Sequence, residues 1–354
     1  MKPSSLVRKS VKDLDRPSYR SLPKEIIRMN DNSNLFASNP AVRKVSDRFD
    51  FTSLSDYPSV FSDDLREEIG RKFSVEPSQV VVGNGSDEVI DLVMKAFIDP
   101  GDGLAIQTPT FEMYPMYVKI AGGRVIDCPL REQSFQLDVD KILASKPKLI
   151  FLCSPNNPTG NCFQREDILR VVRESDALVV IDEAYCQFTE RATNMDLQNK
   201  YDNILVLRTF SKVYALAGLR IGFGIGSEEI IASLQKVCAP FRLNRFSEKV
   251  AIESLSDDDF IRCIIEMARE ERDWISRELS ALGAHVYPSE TNFLLFRSPI
   301  PVVTLIEGLM NKGIAIRDCS NQPMLRECAR VTFGRRETNE KFIEAMRSIV
   351  GETS

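Results

Sequence analysis

The sequence predicts an α/β fold: a large unit with a mostly parallel sheet of seven strands between helices, then a smaller α/β unit. Three observations predict it. Seven short apolar runs lie between Val80 and Gly226, helical patterns separate several of them, and the runs are continuous rather than alternating. A strand that is apolar at successive positions is buried on both faces, as in a parallel sheet covered by helices. In order, the runs are Val80–Val82, Leu104–Ile106, Arg124–Ile126, Leu149–Cys153, Leu178–Ile181, Ile204–Leu207 and Ile221–Ile225. Asp87–Phe97 and Arg165–Arg173 carry helical patterns between them. A long amphipathic helix follows, over Asp257–Leu282, and bridges to strands at His285–Tyr287, Asn292–Phe296, Ile314–Ile316 and Arg330–Phe333. Pro299 and Pro301 break the chain before a helix near Val303–Lys312. The resulting division is an N-terminal arm over 1–40 that packs on the second unit, a large unit over 41–250 and a small unit over 251–354.

Composition narrows the function. The 354 residues are 43% hydrophobic and 27% charged, an ordinary globular balance with material for about two domains. Lys plus Arg total 46 against 51 Asp plus Glu, and no basic run stands out, so no nucleic-acid partner is expected. No stretch approaches the roughly 18 unbroken apolar residues of a membrane span. The polar N-terminus lacks a signal-peptide core, which points to the cytoplasm. Eight cysteines fall without CxxC spacing, and Cys128, Cys153, Cys186 and Cys238 lie in or beside apolar runs, as reduced structural thiols do. The single histidine, His285, excludes a multi-histidine metal site and leaves acid–base work to other groups.

Four loops after predicted strands carry polar residues. In GNGSDE the amides of Gly85, Ser86 and Asp87 open a helix and form an anion seat, although Ser86 and Asp87 also suit a plain N-cap. SPNNPTG holds two asparagines, including Asn157, at the end of LIFLC. IDEAY sets Asp182 directly after a buried strand, where a carboxylate is costly without a donor or cation, or where it caps a helix. TFSKVYALAGLR places Lys212 among Thr209, Ser211 and Arg220. Ligands in such sheets sit beyond the carboxyl ends of the strands. An anion seat, an amide, a carboxylate, the Tyr185 phenol and a lysine in one place suit a phosphorylated, protonated heteroaromatic aldehyde. Pyridoxal 5'-phosphate has that chemistry.

With GNGSDE, PTFEMY, CSPNNPTG, IDEAY and TFSKVYALAGLRIGF in order, the chain resembles the aspartate-aminotransferase superfamily, pyridoxal-phosphate enzymes of fold type I. PSETNFLLF, GIAIRDCSNQP and RVTFGRRETNEKF are similar to the histidinol-phosphate aminotransferase family within it. The resemblance implies that Lys212 binds the cofactor aldehyde as a Schiff base and later shuttles the proton. It implies that Asp182 meets the ring nitrogen, that Tyr185 and Asn157 meet the ring 3-oxygen, and that Phe111 stacks on the ring. The phosphate falls to Gly85, Ser86, Asp87, Ser211 and Arg220, with Thr209 assisting. Tyr57 matches a tyrosine that reaches the neighbouring subunit's cofactor, so the implied unit is a homodimer with shared sites. Arg317 and Arg330 match substrate-binding arginines, Tyr19 and Asn30 close over the substrate, and Arg242 and Asn244 are further candidates. The implied reaction is transamination between a small amino donor and a 2-oxo acid, commonly 2-oxoglutarate. Aromatic amino acid aminotransferases and threonine-phosphate decarboxylases carry similar motifs and are the alternatives.

The sequence departs from the resemblance at Phe111, where the family more often has tyrosine, and in one segment. Where the family reads much like NENPxG, this chain has NDNSNLF, Asn30–Phe36. The expectation is an altered substrate pocket and an untouched cofactor site.

Overall fold

The computed structural model describes residues 3–12, 14 and 22–353. Thirteen strands are defined among them: β1 (Ile27–Arg28), β2 (Val80–Gly83), β3 (Gly103–Ile106), β4 (Arg124–Asp127), β5 (Leu149–Cys153), β6 (Leu178–Asp182) and β7 (Ile204–Thr209), then β8 (Gly222–Gly226), β9 (His285–Val286), β10 (Phe293–Arg297), β11 (Ile314–Ala315), β12 (Arg317–Asp318) and β13 (Cys328–Thr332). Seven of them form one sheet in the order β2-β8-β7-β6-β5-β3-β4. β8 runs antiparallel to both its neighbours, and the other pairings are parallel.

The continuous apolar runs are explained by alternation. Successive side chains of a strand point to opposite faces, so Ile150 and Leu152 feed one buried cluster while Leu149, Phe151 and Cys153 feed another. Val179 and Ile181 separate from Val180 in the same way, as do Ile204 and Val206 from Leu205 and Leu207. The helix Ser86–Phe97 covers one face with Val89, Ile90 and Val93, and Arg165–Glu174 covers the other with Ile168, Val171 and Val172. Burying both faces leaves only the strand ends open.

The long helix runs over Asp258–Ala281. Asp257 caps it by accepting from the Phe260 amide, and Asp258 and Asp259 in its first turn suit the positive end of the helix dipole. Its buried Glu271 binds Arg336 and Asn339, tying it to the last helix. Beyond it lies an antiparallel sheet in the order β12-β13-β10-β9. The arm joins this region through β1, which pairs in parallel with β11. The division expected at 250 to 251 falls inside the helix Arg245–Leu255; we propose the link at Ser256 and Asp257 as the boundary. Among the described residues, no helix is long and apolar enough to cross a membrane.

Candidate active site

The parallel strands bring their carboxyl ends to one edge of the sheet, where β8 begins. Two adjoining cavities lie there. One, of about 260 Å³, is lined by Ser86, Asp87, Phe111, Asn157, Asp182, Tyr185, Thr209, Ser211, Lys212 and Arg220, among others. Residues from four separated loops thus face one space. The second, of about 220 Å³, shares Phe111, Asn157, Tyr185 and Lys212 with the first and adds Asn30, Arg317 and Arg330.

Asp182 closes β6 and is 4% exposed. Burial pushes its carboxyl up to about 6, against the Tyr114 hydroxyl and the Ala184 amide, which favour the ionised form. Tyr114 donates to Oδ2 at 2.6 Å and the Ala184 N–H donates to Oδ1 at 3.0 Å. The next residue, Glu183, points to the opposite face, where it pairs with Arg208 and accepts from Thr193 and Asn194. Adjacent acids in IDEAY therefore have separate jobs, one at the site and one in the scaffold.

Lys212 follows β7, its ammonium 5.5 Å from the centre of the Tyr185 ring. Burial and then Arg330 lower its pKa to about 8. Tyr185 accepts from the Asn32 amide at 2.9 Å, which leaves its own hydroxyl proton to be donated. Of the paired asparagines, Asn156 braces its loop by donating to the Pro109 carbonyl and Thr159. Asn157 faces the cavity and accepts from Arg330. Asn157 lines both cavities and Asn156 lines neither.

The anion seat depends on a missing side chain. Gly85 has φ +79°, which favours glycine, and the helix starts at Ser86. Gly222, at the start of β8, packs so closely that a Cβ there would lie 2.2 Å from the Ser86 nitrogen. Gly222→Ala is therefore expected to push the Gly85–Ser86 turn out of place. Titration should find pyridoxal phosphate bound at least roughly tenfold more weakly, by loss of about one hydrogen bond to a charged group; unchanged affinity would dismiss this account of the seat. Arg220 borders the seat and pairs with Asp87 at 3.0 Å. Ser211 accepts from Thr209 at 3.0 Å, so its own proton is available to an anion.

Arg330 is buried, and burial lowers its pKa. It donates to the Asn30 carbonyl at 2.7 Å, while its Nε and the Asn30 Oδ1 have no protein partner. Unpartnered buried polar atoms facing a cavity are expected where a ligand completes the bonding. Arg317 stands across the same cavity, paired with Glu112, which also accepts from Gln322 at 3.1 Å.

Tyr57 is 79% exposed and stacks on Phe241, away from both cavities of its own chain. Arg242 donates to the Val82 carbonyl at 2.5 Å, and Asn244 caps the helix Arg245–Leu255 by accepting from the Ser247 amide. Both are held by scaffold bonds and line neither cavity. Tyr19 lies outside the described residues. The NDNSNLF segment does reach the cofactor side: Asn32 holds Tyr185, Asn34 donates to the Lys212 carbonyl at 3.2 Å, and Asp31 and Ser33 line the larger cavity. The segment therefore borders the cofactor side as well as the substrate side. Sequence reasoning missed Asn32, Glu112 and Tyr114; for Tyr114 the signal was the three-residue spacing from Phe111 at the start of a helix.

The donor set fits pyridoxal phosphate: an anion seat at one end, a carboxylate and a phenol in the middle, and an amine of lowered pKa beside them. No group of three or more metal-ligating side chains competes with it among the described residues. A histidinol-phosphate aminotransferase from a Thermoanaerobacter species is 36% identical over 352 residues, covering 98% of this chain and 99% of the relative. The histidinol-phosphate aminotransferase of Clostridium acetobutylicum superposes with a TM-score of 0.86 at 25% identity, over 92% of this chain and all of that one. The Sinorhizobium meliloti enzyme of the same name, solved with pyridoxal-5'-phosphate, gives 0.84 at 23% identity, over 92% of this chain and 91% of that one. The family model for aminotransferase class I and II matches residues 24–346. The match runs from the arm through both sheets and takes in every strand that supplies the site, and the chain belongs to the class I and II aminotransferases.

Proposed function

We propose that the protein transfers the amino group of L-histidinol phosphate to 2-oxoglutarate, a step of histidine biosynthesis. One observation carries the choice of donor: buried Arg330, with a free Nε, faces Arg317 across the cavity next to Lys212. Guanidinium forks suit a phosphate in one half of the reaction and a carboxylate in the other. The relatives' names support the same reading.

When bound, pyridoxal phosphate supplies the aldehyde and the electron sink. Lys212 binds the aldehyde and, once released, carries the proton on Nζ. Its lowered pKa leaves part of it neutral near pH 7, as a base requires. Asp182 would keep the ring nitrogen protonated, Tyr185 and Asn157 would hold the ring oxygen, and Phe111 would cover the ring face. Gly85, Ser86, Asp87, Thr209, Ser211 and Arg220 hold the phosphate. Asn30 closes the substrate side with Arg330 and Arg317.

The protein works as a homodimer in this reading. Phe51, Leu54, Tyr57 and Val60 expose large apolar surface on one short stretch, with Phe241 beside Tyr57, and a second copy covers such a patch. Tyr57 then serves the neighbour's site, and a purely monomeric protein in sedimentation would rule this out. The eight free cysteines support a reducing, cytoplasmic setting.

Mixing pyridoxal-phosphate-loaded protein with L-histidinol phosphate alone should convert the cofactor to its pyridoxamine form, read by absorbance. Faster conversion by an aromatic amino acid, or carbon dioxide release from threonine phosphate without any 2-oxo acid, would overturn the assignment.

A further inference from the structure

We propose that Tyr114 is a positioning residue for the cofactor: its hydroxyl sets the Asp182 carboxylate and its ring braces Phe111. This rests on the site reading above. Tyr114 is 0% exposed and donates to Asp182 Oδ2 at 2.6 Å, while the Ala184 amide takes Oδ1. Two bonds on two oxygens fix the plane of the carboxylate, which an isolated side-chain rotamer would not. The same phenol ring meets Phe111 edge-on, with centroids 5.3 Å apart and planes at 80°, and rests on Phe151 at 4.9 Å. The first turn of the helix Met113–Ala121 thus sets both the group that faces the ring nitrogen and the group that covers the ring.

A phenol suits this task. Burial and the Asp182 charge raise its pKa well above the ordinary 10, so it stays a neutral donor at any working pH. The other groups around Asp182 are Asp87, which raises its pKa, and Lys212, which lowers it. Cys153, Cys186 and Tyr185 also lie within its field, each with its pKa pushed up by burial and so neutral. Tyr114→Phe removes the bond to Asp182 and the hydroxyl's contact with Cys153, and leaves the other groups in place.

The sign follows from the carboxylate. Only ionised Asp182 holds a protonated ring nitrogen, so its contribution to pyridoxal-phosphate affinity is lost as pH drops through about 6. The Tyr114 hydroxyl favours the ionised form, so its removal moves that acid limb upward. The test is the dissociation constant of pyridoxal phosphate for cofactor-stripped protein across a pH series. Tyr114→Phe should displace the limb upward by about one pH unit, a tenfold loss of affinity for points on it. Tyr114→Leu should also reduce the circular dichroism of the bound cofactor, since Phe111 loses its brace, whereas Tyr114→Phe keeps that signal. A limb that stays in place, with affinity unchanged or lowered equally at all pH values, overturns the proposal and leaves Tyr114 as packing alone. Wild-type protein that binds no pyridoxal phosphate overturns the site reading instead.

Discussion

Lys212→Ala should abolish transamination, by at least roughly 10⁴-fold, the upper end of what a positioned general base supplies. The cofactor should still bind, through the anion seat and Asp182, but borohydride should no longer fix it to the chain. The physical reason is the environment of one amine. Burial and Arg330 bring Lys212 from the ordinary 10.5 down to about 8, so more of it is neutral near pH 7. The Asn34 bonds to the Lys212 and Val213 carbonyls hold the backbone beneath it, so the amine returns to the same point in each cycle. Among the described residues, no other lysine lines either site cavity. Cofactor still fixed by borohydride in Lys212→Ala protein would show that another amine does the work.

Arg330→Ala should raise the KM for L-histidinol phosphate and for 2-oxoglutarate far more than it weakens pyridoxal phosphate. Two hydrogen bonds to a charged partner contribute roughly 1.5–3 kcal/mol each. At about 1.4 kcal/mol per tenfold, their loss corresponds to roughly 10²- to 10⁴-fold in kcat/KM. A smaller loss of cofactor affinity is also expected, because Arg330 donates to Asn157 and that restraint disappears. Arg330→Lys keeps the charge but cannot reproduce the fork, so it should recover only part of the loss. Equal damage to cofactor and substrate binding would assign Arg330 to the cofactor site instead.

Much of the cofactor site was legible because its parts are local. Each loop motif follows an apolar run, and parallel strands place their carboxyl ends together, so Ser86, Asn157, Asp182 and Lys212 meet with little help from distant residues. The partners that tune them were not legible. Asn32 reaches Tyr185 across 153 positions, and Tyr114 reaches Asp182 across 68. Spacing from Phe111 hints at Tyr114 but not at its acceptor, since one asparagine or tyrosine resembles another until a fold puts a partner beside it. Arg242 and Asn244 show the converse, polar candidates that bond to backbone groups outside both cavities.

The sequence by itself determined the sheet, the order of its loops and the residue types that a phosphorylated aldehyde needs. Period and composition set these, and both are properties of neighbouring residues. Tertiary structure alone decided that Asn156 bonds back to Pro109 and Thr159, that Glu112 holds Arg317, and that Tyr114 holds Asp182. Those are choices of direction and partner over long separations, fixed by which way each side chain points once the strands and the arm have packed.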